Sequence, residues 1–159
     1  MILEFSELTA YTQGERDKWR AWFHARPAAL EAPVQPGGRF PTVWDLLDHV
    51  VLVEARHTRR LLGEPVIEQT GAARGDLAAL WGFADVTRAQ LKDAVRGLTE
   101  AGVREFGVRD QIFRMTPRKL AFHILLHEVR HFAQIAVAVR NAGFPPPGEH
   151  DFFYTRSIE

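Results

Sequence analysis

The sequence predicts an all-α protein, a four-helix bundle with a short irregular or hairpin insertion between the third and fourth helices. Three observations predict it. Four segments of about twenty residues repeat their apolar side chains at the helical period. The ends of those segments carry helix start and stop residues. Between them only 99–115 reads as partly strand-like.

The first helix is expected near 6–26, where Leu8, Tyr11, Trp19, Trp22 and Phe23 share a face and Pro27 follows. The stretch EAPVQPGGRFP (31–41) is loop-like. A second helix is expected over 42–62. Thr42 followed three residues later by Asp45 resembles a capping box, and Gly63 and Pro65 stop the helix. Its apolar stripe is Val43, Leu46, Leu47, Val50 and Leu61. The third helix, 76–98, runs through Leu77, Leu80, Trp81, Ala84, Leu91 and Val95. VREFGV and QIFRM then suggest a small hairpin. The fourth helix, 117–142, opens with Thr116 as N-cap and Pro117 at its first position, and closes at Gly143.

A chain of 159 residues, 46% apolar, is long enough for one domain, 1–159, with a sizeable core. Twenty basic and twenty acidic residues balance, which points away from nucleic acid and anionic membranes as partners. No segment reaches the ~18 apolar residues of a membrane span, and the charged N-terminus does not read as a signal peptide, so a cytoplasmic protein is expected. The absence of cysteine removes disulfides, thiolate ligands and a cysteine nucleophile together. Any transition metal must then be held by His, Asp and Glu.

Residues 123–134 read HILLHEVRHFAQ, with histidines at 123, 127 and 131. On a helical wheel the apolar face of this segment, Leu120, Ile124, Ile135 and Ala138, is centred near His131, with His127 about 40° away. His123 lies at its edge beside Gln134. Rows of side chains four apart drift by about 40° per step, so the three rings do not easily converge on one ion. The pair 127 and 131 remains. Two packed, hydrogen-bonded core histidines are the plain alternative, but their apolar neighbours offer no partners for four ring nitrogens. A metal with a third ligand from another helix satisfies them.

The second helix supplies His49, Glu54 and His57. Glu54 and His57 fall in its apolar stripe, and His49 sits at the edge beside Val53. Periodicity does not choose between His49 and His57 as the third ligand. Glu54 is a candidate general base or a carboxylate orienting a ligand; a structural hydrogen-bond pair of Glu54 with His57 is the plain alternative. His24 is expected to be half-exposed, His150 to be solvated in a terminal loop, and Trp19, Trp22, Trp44 and Trp81 to pack in the core or a groove.

His127-Glu128-Val-Arg-His131 also fits the HExxH pattern of zinc peptidases, in which the Glu activates water. The metzincin continuation is missing, the only later glutamates are Glu149 and Glu159, and no edge strand precedes the helix. A peptidase is therefore the weaker reading.

Taken together, Leu47-Asp-His49, Glu54 and Gly63, then His123, His127, His131, Gln134 and Ala142-Gly143, resemble the DinB/YfiT-like metalloenzymes in residue type, order and spacing. The resemblance covers nearly the whole chain. It implies a four-helix bundle whose divalent metal is held by His49, His127 and His131, which selects His49 on the second helix. His123 corresponds to a common histidine that is not a ligand. Phe132-Ala133 stands where Arg-Gly is usual, which removes any role carried by that arginine. Relatives of this kind include S-transferases and isomerases that use low-molecular-weight thiols, and homodimers are frequent among them.

Three neutral histidines with an open position suit Lewis-acid or nucleophile-generating chemistry on a small-molecule substrate, with zinc or nickel as the expected ion. A bound thiol would ionise there, so a chain without cysteine could still perform thiol transfer, with Glu54 as base. Arg56, Arg114 and Arg130 are candidates for meeting a substrate carboxylate. A non-catalytic metal- or ligand-binding bundle linked to stress is the alternative. The aromatic surface of Trp19, Trp22, Trp44 and Phe40 points to a homodimer.

Overall fold

The computed structural model describes residues 4–35, 37–98, 102–108, 110–148 and 150. The observed class is all-α. Four long helices, α1 (Phe5–Ala25), α2 (Val43–Leu62), α3 (Leu77–Arg96) and α4 (Pro117–Asn141), are joined by a short 3-10 turn at Pro27–Glu31 and by strands β1 (Arg104–Val108) and β2 (Gln111–Met115). The expected helix limits hold to within two residues, because the caps are local. Asp45 accepts hydrogen bonds from the Thr42 amide (2.9 Å) and hydroxyl (2.7 Å), Asp76 accepts from the Ala79 amide, and Thr116 from the Lys119 amide. At the far ends Gly63 and Gly143 take φ of 73° and 85°. There the amides of Glu64 and Phe144 close onto the carbonyls of Arg59 and Val139, the glycine-terminated arrangement that satisfies a helix's last carbonyls.

The suspected hairpin is an antiparallel pair with Phe106 opposite Phe113, their rings stacked at 6.2 Å. Within the loop at 31–41, Pro33 and Thr42 form an isolated bridge.

The chain divides into two compact units, one within Met1–Asp48 and Glu128–Glu159, the other within His49–His127. The first is organised around Trp19, fully buried and stacked on Phe23 (5.4 Å), Phe132 (5.9 Å) and His150 (5.3 Å). Removing a ring at such a position costs about 3–5 kcal/mol. Trp22 and Trp44 are buried as well, so the aromatic surface expected to drive a homodimer is largely consumed inside the chain; Phe40 alone of that group is half-buried. The second unit buries Leu80, Trp81 and Leu91 of α3, Ala55 and Leu61 of α2, and Ile124 and Leu125 of α4.

Among the described residues no helix is long and apolar enough to cross a membrane.

Candidate metal centre

The structure brings His49, His127 and His131 together. One ring nitrogen of each lies within 4.8 Å of the others. A tetrahedral ion with bonds of ~2.0–2.1 Å holds its ligand nitrogens ~3.4 Å apart, so the rings would have to close by about an ångström to hold one. Helix geometry explains the α4 half: residues four apart lie one turn along the same face. The His49 and His127 rings meet in a T-shaped arrangement, centroids 5.1 Å apart at 63°.

Two features leave His131 able to act as a ligand. Its Nδ1 lies 2.5 Å from Gln134 Oε1, and with that oxygen accepting, Nδ1 carries the proton and Nε2 keeps its lone pair. Burial lowers its pKa, with Arg130 and Arg39 adding to the effect against the Gln134 hydrogen bond, so the ring is neutral at neutral pH. Phe40 meets the His131 ring edge-on at 6.3 Å.

His57, the competing candidate, is placed elsewhere. Its ring stands perpendicular to His123 at 5.2 Å and packs on Phe106 of β1 at 5.8 Å. Its Nδ1 lies 3.2 Å from a terminal guanidinium nitrogen of Arg60. Arginine can only donate, so Nδ1 accepts and the proton resides on Nε2. Burial first, then Arg60, His123 and Arg56, press the His57 pKa down to about 3. His123 is also lowered, by burial and Lys119, and its ring lies 5.6 Å from His127. It packs beside His127 and is not among the three converging histidines.

The carboxylates carry the main surprise. Glu54, the candidate base, is 2% exposed and receives Arg88 Nε at 2.8 Å and a terminal nitrogen at 3.1 Å. Glu128, the middle residue of the HExxH pattern, is 1% exposed and is held by Arg16, itself 1% exposed. A carboxylate whose oxygens are taken up by a buried guanidinium cannot serve as a base without stranding the arginine. The plain alternative expected for Glu54, a pairing with His57, is thus replaced by Arg88.

Sequence reading missed Arg16 and Arg88, although each left a signal. Arg16 falls on the same stripe as Thr12, Trp19 and Phe23, and Arg88 on that of Ala84 and Leu91. A charge on an apolar stripe calls for a buried partner of opposite sign. Arg56 and Arg114 are engaged by Glu68 and Glu105, and Arg130 is exposed. His24 is exposed, whereas His150, expected in solvent, stacks on Trp19 and places Nδ1 2.6 Å from Glu15 Oε2. Glu149 and Glu159 lie outside the described residues.

No curated protein matches the chain at a significant level. A family model described as the DinB family matches residues 1–157, and the chain belongs to that family.

Proposed function

We propose that His49, His127 and His131 hold a divalent metal ion, zinc or nickel, and that the protein is a metal-dependent enzyme of the thiol S-transferase or hydrolase kind. The single observation that carries this reading is the convergence of three imidazole nitrogens within 4.8 Å, with Gln134 orienting one of them. Three neutral imidazoles would leave a bound ion most of its positive charge, and such an ion would supply Lewis-acid chemistry to a water or thiol.

The chain's own residues supply the frame. His131 keeps a fixed tautomer through Gln134, and Phe40 shields one side of its ring. Without cysteine, a thiol for transfer chemistry comes from solution as a low-molecular-weight co-substrate. Glu54 and Glu128 are bound to Arg88 and Arg16, so proton transfer falls to solvent, to substrate, or to His123 beside His127.

That same observation favours a second reading. With both buried glutamates engaged, the site also suits a protein that binds a metal or ligand without turnover. The two readings separate in one experiment. Metal-loaded protein is assayed for consumption of electrophiles in the presence of small thiols, and for ester hydrolysis without them, beside His127→Ala. Turnover that vanishes in the variant supports the enzyme. A metal that is bound while every substrate survives supports the binding protein.

A further inference from the structure

A cavity of about 390 Å³ lies between the end of α2 and β1, lined by Arg60, Arg104, Val66 and Phe106 and by two acids, Glu64 and Glu105. The acids are not the partners of the lining arginines. Glu64 is engaged by Arg59 at 2.9 Å and Glu105 by Arg114 at 3.4 Å, and neither Arg59 nor Arg114 lines the cavity. Among the described residues no carboxylate forms an ion pair with Arg60 or Arg104. Arg104 reaches the Leu61 carbonyl at 3.5 Å with a terminal nitrogen, while its Nε is buried with no hydrogen-bond partner. A buried donor left unmade is costly, so the Arg104 side chain gains from any small shift that brings an acceptor to it.

Arg60 is held in position before any ligand arrives. It donates to His57 Nδ1, and its guanidinium carbon sits over the Phe106 ring, 4.6 Å from the centroid. Burial and the neighbouring Arg56 pull the Arg60 pKa down, against the pull of Glu68, as expected of a cation short of counter-charge. Two guanidiniums present paired N–H donors that match the two oxygens of a carboxylate, and Phe106 and Val66 offer an apolar surface to the rest of the molecule.

We infer that this cavity is a binding subsite for a small carboxylate with an apolar body, its anionic end held by Arg60 and Arg104 and its body against Val66 and the part of Phe106 that lines the cavity. The subsite does not depend on the metal reading, since none of its lining residues belongs to the three-histidine group. Its nearest link to that group runs through His57 and His123, rings spaced at 5.2 and 5.6 Å on the way to His127.

The test uses metal-free full-length protein and sodium benzoate as probe, followed by calorimetry and by amide NMR shifts of Gly63 and Gly107, which border the cavity. Benzoate should bind one to one and move both glycine signals. Uncharged benzamide, of the same shape, should bind at least about tenfold more weakly, as should benzoate to Arg104→Gln and to Arg60→Gln. His127→Ala should bind benzoate as the wild type does, which separates this result from any failure at the metal centre. Circular dichroism identifies a variant that has lost its fold, and Arg104, on the hairpin, is the substitution less coupled to the helices. Absence of benzoate binding, equal binding of benzamide, unchanged affinity in folded Arg104→Gln, or binding of inorganic phosphate alone overturns the inference.

Discussion

Arg88 holds both oxygens of the Glu54 carboxylate, at 2.8 and 3.1 Å, with each side chain 3% exposed. Removing one partner of such a pair leaves a buried charge uncompensated and costs about 3–5 kcal/mol, whereas replacing both with apolar groups of similar volume is far milder. Glu54→Gln and Arg88→Met should each lower the urea midpoint strongly, and the double variant Glu54→Met/Arg88→Met should recover much of the loss. Additive losses in that cycle would show that the two side chains act separately.

The Arg16–Glu128 pair leads to a second expectation, which separates this site from a zinc peptidase. Glu128→Gln should lose stability, because Arg16 stays buried without its counter-charge, yet keep its full metal content. Any thiol-transfer or hydrolytic rate, measured well below the lowered melting temperature, should change little. A metal-loaded, folded variant with activity reduced by orders of magnitude would instead assign Glu128 the water-activating role.

His57 gives the fold a pH dependence with a definite sign. Its folded pKa of about 3 lies below the ordinary histidine value of 6.5, so below 6.5 the unfolded chain binds the proton more readily. The stability His57 contributes is therefore complete above 6.5 and is lost as pH falls toward 3. At about 1.4 kcal/mol per pH unit, acidification to about pH 5 removes on the order of 2 kcal/mol through this residue. His123 shifts in the same direction and adds to the slope. Denaturant melts of metal-free protein at a series of pH values should show this fall, and His57→Phe should flatten it. An unchanged slope in His57→Phe would place the acid sensitivity elsewhere.

His150 anchors its segment to α1. It stacks on Trp19, pairs with Glu15, and accepts the Tyr11 hydroxyl at its carbonyl at 2.7 Å. His150→Ala should cost about 1–2 kcal/mol and alter the indole emission, since Trp19 loses a stacked ring. Unaltered emission and stability would mean that the contact contributes nothing in solution.

The helices were legible because their signals are local. Thr116 before Pro117, Asp76 before Leu77 and the glycines at 63 and 143 act within one turn of their own positions. The α4 histidine pair of the candidate site was legible for the same reason, two histidines one turn apart on an apolar face. The third histidine of the group was not. His57 falls in the α2 stripe and His49 at its edge, and what separates them as candidates is tertiary: His57 is taken up by Phe106 and His123, and periodicity carries no record of where a hairpin will pack. Family resemblance, not spacing, selected His49. The roles of Glu54 and Glu128 were hidden likewise, since their arginines lie 34 and 112 residues away in the chain.

The central claim is that three histidines and no others hold one divalent ion per chain. Metal content by mass spectrometry, after loading with zinc and exhaustive dialysis, tests it most directly. The wild type, His123→Ala and His57→Ala should retain about one ion per chain. His49→Ala, His127→Ala and His131→Ala should each lose most of it, because two imidazoles and water bind far more weakly than three imidazoles. Full retention in folded His127→Ala, or loss in His57→Ala with retention in His49→Ala, would contradict the account.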